Sequence, residues 1–231
     1  MIDTDSQKTV QDVLAALKAG IALSQKDLYQ LNLSGLELQN ANLSRATLIR
    51  ANLSKANLSE ADLSQADLRG ADLSKAVLLQ VNLQGACLYR VDLSGADLRG
   101  ANLAQTKLQG ARYDSQTLFP EGFAYKSSGA IGPGANLNGS PLNTANLRNA
   151  DLQGANLLGA YLGGADLTGA NLQRANLTKV FASDASLSNT DLTGVKLTGA
   201  KLYNADMSGA TLAGTDFRGA KLYGARPSGE Y

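Results

Sequence analysis

The chain has 231 residues, 21 Lys plus Arg against 20 Asp plus Glu, and no His. This balance lacks both the basic footprint of a nucleic-acid binder and the acidic surface of a DNA mimic, and the missing His removes the commonest general base and metal ligand. Hydrophobic residues make up 44% of the chain but aromatics only 5%, with no Trp, so the core they fill is narrow and repetitive.

The opening MIDTDSQKTV is polar and acidic. It has neither the basic n-region nor the apolar run of a signal peptide, and no stretch approaches the roughly 18 uninterrupted apolar residues of a membrane helix. The single Cys87 excludes an intrachain disulfide and is compatible with a reducing compartment. The expectation is a soluble cytoplasmic protein that makes no use of a membrane. Within residues 1–27, Val10, Val13, Leu14 and Leu17 follow a helical period, Thr4 and Gln7 fit a capping box, and Gly20 suits a C-terminal cap. A helix here covers the exposed end of whatever repeat follows.

Residues 28–111 repeat with a period of five. Every fifth residue from Leu33 to Leu108 is Leu, and two positions before it stands Ala in most cases, with Leu, Val or Thr in the others. A helix repeats near 3.6 residues and a strand at 2.0, so neither accommodates five. With the centre and the residue two before it pointing inward, each pentapeptide is a short extended side followed by a turn, for which Gly, Ser, Asn and Lys after the centre are suited. Four sides at right angles close a coil of about 20 residues, and coils stack at the strand spacing of about 4.8 Å. Residues 135–231 hold a second array, Leu137 to Leu222, in which Ala182, Met207 and Phe217 replace Leu at the centre.

The pattern, seen in "ANLSEADLSQADLRGADLS", resembles the A(D/N)LXX motif of the pentapeptide repeat family. The resemblance implies an all-β solenoid, a right-handed quadrilateral β-helix, with Asp or Asn before the centre bonding nearby backbone. About 8.5 coils would then make a rod of about 40 Å, with an N-terminal capping α-helix and one mid-chain loop interruption. That interruption is residues 112–134, across which the phase slips by one. Its "YDSQTLFPEGF" is similar to a stretch in cyanobacterial members of the family. Tyr113, Leu118 and Phe123 keep the first phase, Gln116 and Glu121 fall on small-residue positions, and the chain is expected to leave the solenoid after Tyr113 and return near Ala135. Phe119, Phe123 and Tyr125 make this loop a candidate partner-binding element, since long loops often carry function.

Because residues 20 apart stack, the surface sorts into stripes. Asn32, Asn52, Asp72 and Asp92, with Ser34, Ser54, Ser74 and Ser94, form a regular polar ladder. The side through Leu48, Leu68, Leu88 and Leu108 instead carries Ile49, Arg50, Arg69, Cys87, Tyr89, Arg90 and Lys107. In the second array one side presents Pro141, Tyr161, Phe181, Lys201 and Lys221 before the centre, and Tyr203 and Tyr223 after it. The small Ala182 beside Phe181 leaves open a local phase irregularity that buries Phe181. Aromatics and cations on one wall favour recognition, although stacked aromatics also stabilise adjacent strands.

No catalytic arrangement emerges. Cys87 has no His to activate it, no phosphate or dinucleotide loop is present, and the Asp residues belong to the repeat. The expected protein is not an enzyme, needs no cofactor or metal, and binds an unidentified protein as scaffold or regulator. The quinolone resistance proteins of the same family imitate DNA and bind type II topoisomerases; the net charge of +1 argues against that role. A structural solenoid without a specific partner is the other alternative. "GARPSGEY" offers no closing helix, so the C-terminal coils could pair with a second copy, or Pro227 could blunt that edge.

Overall fold

A computed structural model of the chain describes residues 10–226, leaving Thr4, Gln7 and Pro227 outside the described residues. They form two compact units, divided between Ala130 and Ile131. The first unit begins with helix α1 (Val10–Lys18), whose Val13 is fully buried. Gly20 ends it as the sequence predicts: φ is +65°, its N–H donates to the Leu17 carbonyl, and the next N–H, of Ile21, reaches back to Ala16. This paired closure satisfies carbonyls that the last turn would otherwise orphan.

Beyond α1 the backbone is made of single-residue parallel bridges, each joining residues 20 apart, such as Asn42 with Asp62 and Asn156 with Asn176. One pentapeptide shows the construction. Ala46 N–H donates to Leu43 O across a turn, and Arg45 within that turn has φ +57°. Leu43, Arg45 and Asp62 then bond the next or preceding coil through Asp62 O, Ser64 O and Ala41 O. Three ladder bonds per side hold a left-handed turn residue that would otherwise be strained. The same geometry places the central Leu and the preceding Ala inside; Leu43, Leu88, Leu167 and Ala86 are fully buried. Thr takes the Ala position where its hydroxyl can donate to the coil before, as Thr190 does to Leu167 O at 2.9 Å and Thr106 to Leu83 O at 2.9 Å. Two sides centred on Leu23 and Leu28 precede the Leu33 start read from the sequence; both leucines are buried, while Ile21 at the first small-residue position is exposed.

The chain stays in the ladder beyond Tyr113. Asp97 pairs with Leu118, and Leu98 N–H donates to Leu118 O at 2.7 Å. That spacing is one residue longer than the rest, because Asp114 is inserted. Its carboxylate supplies the acceptor that the displaced backbone no longer offers: Oδ1 receives Gly95 N–H at 3.0 Å and Gln116 N–H at 2.9 Å. The insertion corrects two expectations. Leu118 occupies an outward bridge position and is 44% exposed, Thr117 takes the small-residue site, and Gln116 lies in the turn. The chain then departs through a short 3₁₀ helix, Tyr125–Ser127, and by Gly129 is stacked again, its carbonyl receiving Gly110 N–H at 2.9 Å. The return thus precedes the expected Ala135.

In the second unit the coils run to Arg226. Leu222 there is 41% exposed, unlike the central leucines before it. Leu88→Ala should therefore lower stability by about 2–5 kcal/mol and Leu222→Ala by well under half of that, read from denaturant midpoints. Asp114→Ala removes the acceptor of Gln116 N–H and the shorter of the two acceptors of Gly95 N–H, which keeps Thr117 Oγ1 at 3.2 Å, and should cost about 1 kcal/mol by the same measurement.

Candidate functional site

Pro141, Tyr161, Phe181, Lys201 and Lys221 are successive rungs of one ladder in the second unit. The Tyr161 and Phe181 rings stack at 5.0 Å between centroids and 9° between planes. Lys201 Nζ lies 4.6 Å from the Phe181 centroid on the following rung, within cation–π range. Phe181 remains outward, and Ala182 is fully buried at the centre. The ladder keeps its phase through this side, which excludes the irregularity that the Ala182 centre left open. Tyr161 is 46% and Tyr223 85% exposed, and Tyr203 is also exposed. The sequence-predicted stripe is thus a contiguous wall of rings and ammonium groups. Its one carboxylate, Asp184, accepts from Asn204 Nδ2 at 3.1 Å.

The first unit carries the second candidate patch on the ladder Asp27, Thr47, Asp67, Cys87, Lys107. Arg69 does not act as a free cation there. It forks onto Asp67, with Nη2 to Oδ2 at 2.7 Å and Nε to Oδ1 at 2.8 Å. Arg50, Arg90 and Lys107 are exposed. Ile49 is half-buried and Tyr89 exposed, and the same column includes exposed Tyr29, which the sequence analysis passed over. Subtracting one 20-residue coil from Ile49 would have found it. The loop aromatics Phe119, Phe123 and Tyr125 turn largely toward one another. Phe119 stacks on Tyr125 at 4.5 Å, and both meet the buried Tyr113 edge-on at 5.5 Å. With Tyr113 they form an aromatic cluster beside the insertion in which all three stay half-buried.

Comparison with known proteins places these repeats. The family model described as pentapeptide repeats matches the chain in 8 copies, spanning residues 27–95 and 133–226. The chain is a pentapeptide repeat protein. Its units are the right-handed quadrilateral β-helices of that family. Among solved structures it is similar to HetL of the cyanobacterium Nostoc sp. strain PCC 7120, a pentapeptide repeat protein involved in heterocyst differentiation regulation. The identity is 31% over 97% of this chain and 99% of that one, with a TM-score of 0.33. It is also similar to alr5209 of Nostoc PCC 7120, at 36% identity over 55% of this chain and 100% of that one, TM-score 0.28. Full-length QnrB1, a plasmid-mediated fluoroquinolone resistance protein, is 20% identical over 87% of this chain and 92% of that one, TM-score 0.24. The search of curated proteins gives no match.

In this pentapeptide repeat protein the acidic rungs are occupied by the fold itself. Asn52 Oδ1 accepts Ser54 N–H at 3.0 Å, and Asp72 Oδ1 accepts Ser74 N–H at 2.8 Å, which accounts for the polar ladder. Where Asp and Arg flank one centre they close on each other: Asp67 with Arg69, Asp97 with Arg99, Asp216 with Arg218. Hydrogen bonding by each Arg is the main reason these three carboxyls titrate below the usual range. Asp166 is held at about 2, first by the side chain and N–H of Thr168 and then by Arg148. Among the described residues no group of three or more His, Cys, Asp or Glu is placed to hold a metal, and no helix is long and apolar enough to cross a membrane.

The depressed carboxylates set a pH dependence. Their folded-state pKa lies below the unfolded value of about 3.9, so their contribution is complete above that value and is lost as pH falls through the folded one. The thermal midpoint should be flat from pH 7 to about 4 and fall between about 4 and 2. Asp166→Asn should shrink that fall, measured by circular dichroism across the series.

Proposed function

We propose that the chain is a non-catalytic regulator or scaffold that works in the cytoplasm by binding a protein partner along the wall formed by Tyr161, Phe181, Lys201, Tyr203, Lys221 and Tyr223. The observation carrying this reading is the stack of Tyr161, Phe181 and Lys201 on consecutive rungs. Most rungs elsewhere hold Asp or Asn, and where these bond their own turn, as at Asp72 and Asn176, the accepting oxygen is already used. On this wall the rungs carry exposed rings and cations that the fold does not require. Rings with a polar tip, such as Tyr203 and Tyr223, suit protein interfaces because they bury large area at low conformational cost.

Kinship with HetL, itself described as involved in regulation, supports the regulatory side of this reading. Imitation of DNA would need a negative surface, against which stand the net charge of +1 and the two lysines on the wall.

The test is capture from a lysate of the source cells with wild type and with a Tyr161→Ser, Phe181→Ser, Tyr203→Ser, Lys221→Glu variant that retains the wild-type circular dichroism spectrum. Wild type should retain a defined protein, identified by mass spectrometry, that the variant loses. Equal capture by both would exclude the wall.

A further inference from the structure

The wall differs in chemistry from one end to the other. Tyr161 and Phe181 occupy adjacent rungs at one end, and Lys201 and Lys221 occupy adjacent rungs at the other, with Tyr203 and Tyr223 two residues after them. Neighbouring rungs lie about 4.8 Å apart, and like charges directly opposite each other on adjacent strands are unfavourable. Elsewhere the repeat pairs several of its charges: Arg69, Arg99 and Arg218 each close on the Asp before the same centre at 2.7 Å, and Arg148 closes on Asp166 of the next coil at 2.8 Å. Lys201 and Lys221 stand in the position of that Asp, so substitution has removed a carboxylate and added a cation on two consecutive rungs. Neither lysine takes part in an ion pair among the described residues. Asp184, the carboxylate on this side, is hydrogen-bonded to Asn204.

Resting on the reading of this wall as a binding face, we propose that its partner presents an acidic peptide segment. Its carboxylates bind the Lys201 and Lys221 ammonium groups, and apolar side chains beside them cover the edges of Tyr161 and Phe181. Charge complementarity supplies the argument, because the face carries two lysines without an ion pair and its one carboxylate, Asp184, is engaged by Asn204. The ring geometry favours a peptide over a single-stranded nucleic acid. Base binding uses open aromatic faces, whereas one face of Phe181 meets Tyr161 and Lys201 Nζ also lies over the ring. Phosphate recognition also favours the bidentate fork of Arg, and both cations on this wall are Lys.

The test uses the full chain and three fluorescein-labelled probes: a twelve-residue peptide alternating Glu and Phe, the same peptide with Gln for Glu, and a twelve-nucleotide oligothymidine. Anisotropy titrations at low salt should show the Glu peptide binding about tenfold or more tighter than the Gln peptide, with the preference shrinking as salt is raised. Lys201→Gln with Lys221→Gln should abolish the preference while leaving the circular dichroism spectrum unchanged, and Lys201→Arg with Lys221→Arg should retain it. Equal binding of the two peptides, no binding of the Glu peptide at millimolar concentration, or tighter lysine-dependent binding of oligothymidine would each overturn the proposal. If both peptides bind equally and both are lost in Phe181→Ser, the acidic partner is excluded while the wall survives as an apolar binding face.

Discussion

The parallel hydrogen-bonded stacking of residues 20 apart is the constraint on which the rest depends. It turns a five-residue sequence period into four flat sides and gathers Leu and Ala into a narrow shaft. It also makes each surface position the neighbour of its counterpart one coil away. A substitution on the outside is therefore read along a column. Tyr161 meets Phe181 because both stand one residue before a centre, on consecutive coils of one side. The fold creates side-chain stripes without any dedicated loop.

Most of the fold could be read from the chain because its core signal is local and repeated. The Leu and Ala periods, the helix before them and the Gly20 cap correspond to the ladder, to α1 and to its closing hydrogen bonds. The insertion was misplaced for a physical reason. Five-residue counting assigns Leu118 to the inside, but Asp114 is accommodated when its carboxylate substitutes for a backbone acceptor, and the side through Thr117 and Leu118 shifts by one. A side chain standing in for a main-chain carbonyl leaves no periodic trace.

The surface was legible in position and less so in electrostatics. Counting by 20 gathers the residues of each stripe, yet it scores Arg69 as a cation when its fork is closed on Asp67. The local "ADLRG" carries that information, since the Asp and Arg flank one central Leu on the outward side. Lys201 and Lys221 lie outside that motif, which distinguishes them from the arginines that the repeat neutralises for itself. The loop aromatics were found as a group but not as a packed cluster, because their meeting with Tyr113 depends on the turn geometry after the insertion.

The central claim is that one side of the second unit is the binding face. Hydroxyl-radical footprinting of the chain, free and with its captured partner, tests it most directly because aromatic side chains report individually. The account predicts that Tyr161, Phe181, Tyr203 and Tyr223 become protected together while Tyr29 and Tyr89 keep their reactivity. Protection at Tyr29 and Tyr89, or at Phe119 and Phe123, with the second-unit wall unchanged, would contradict it.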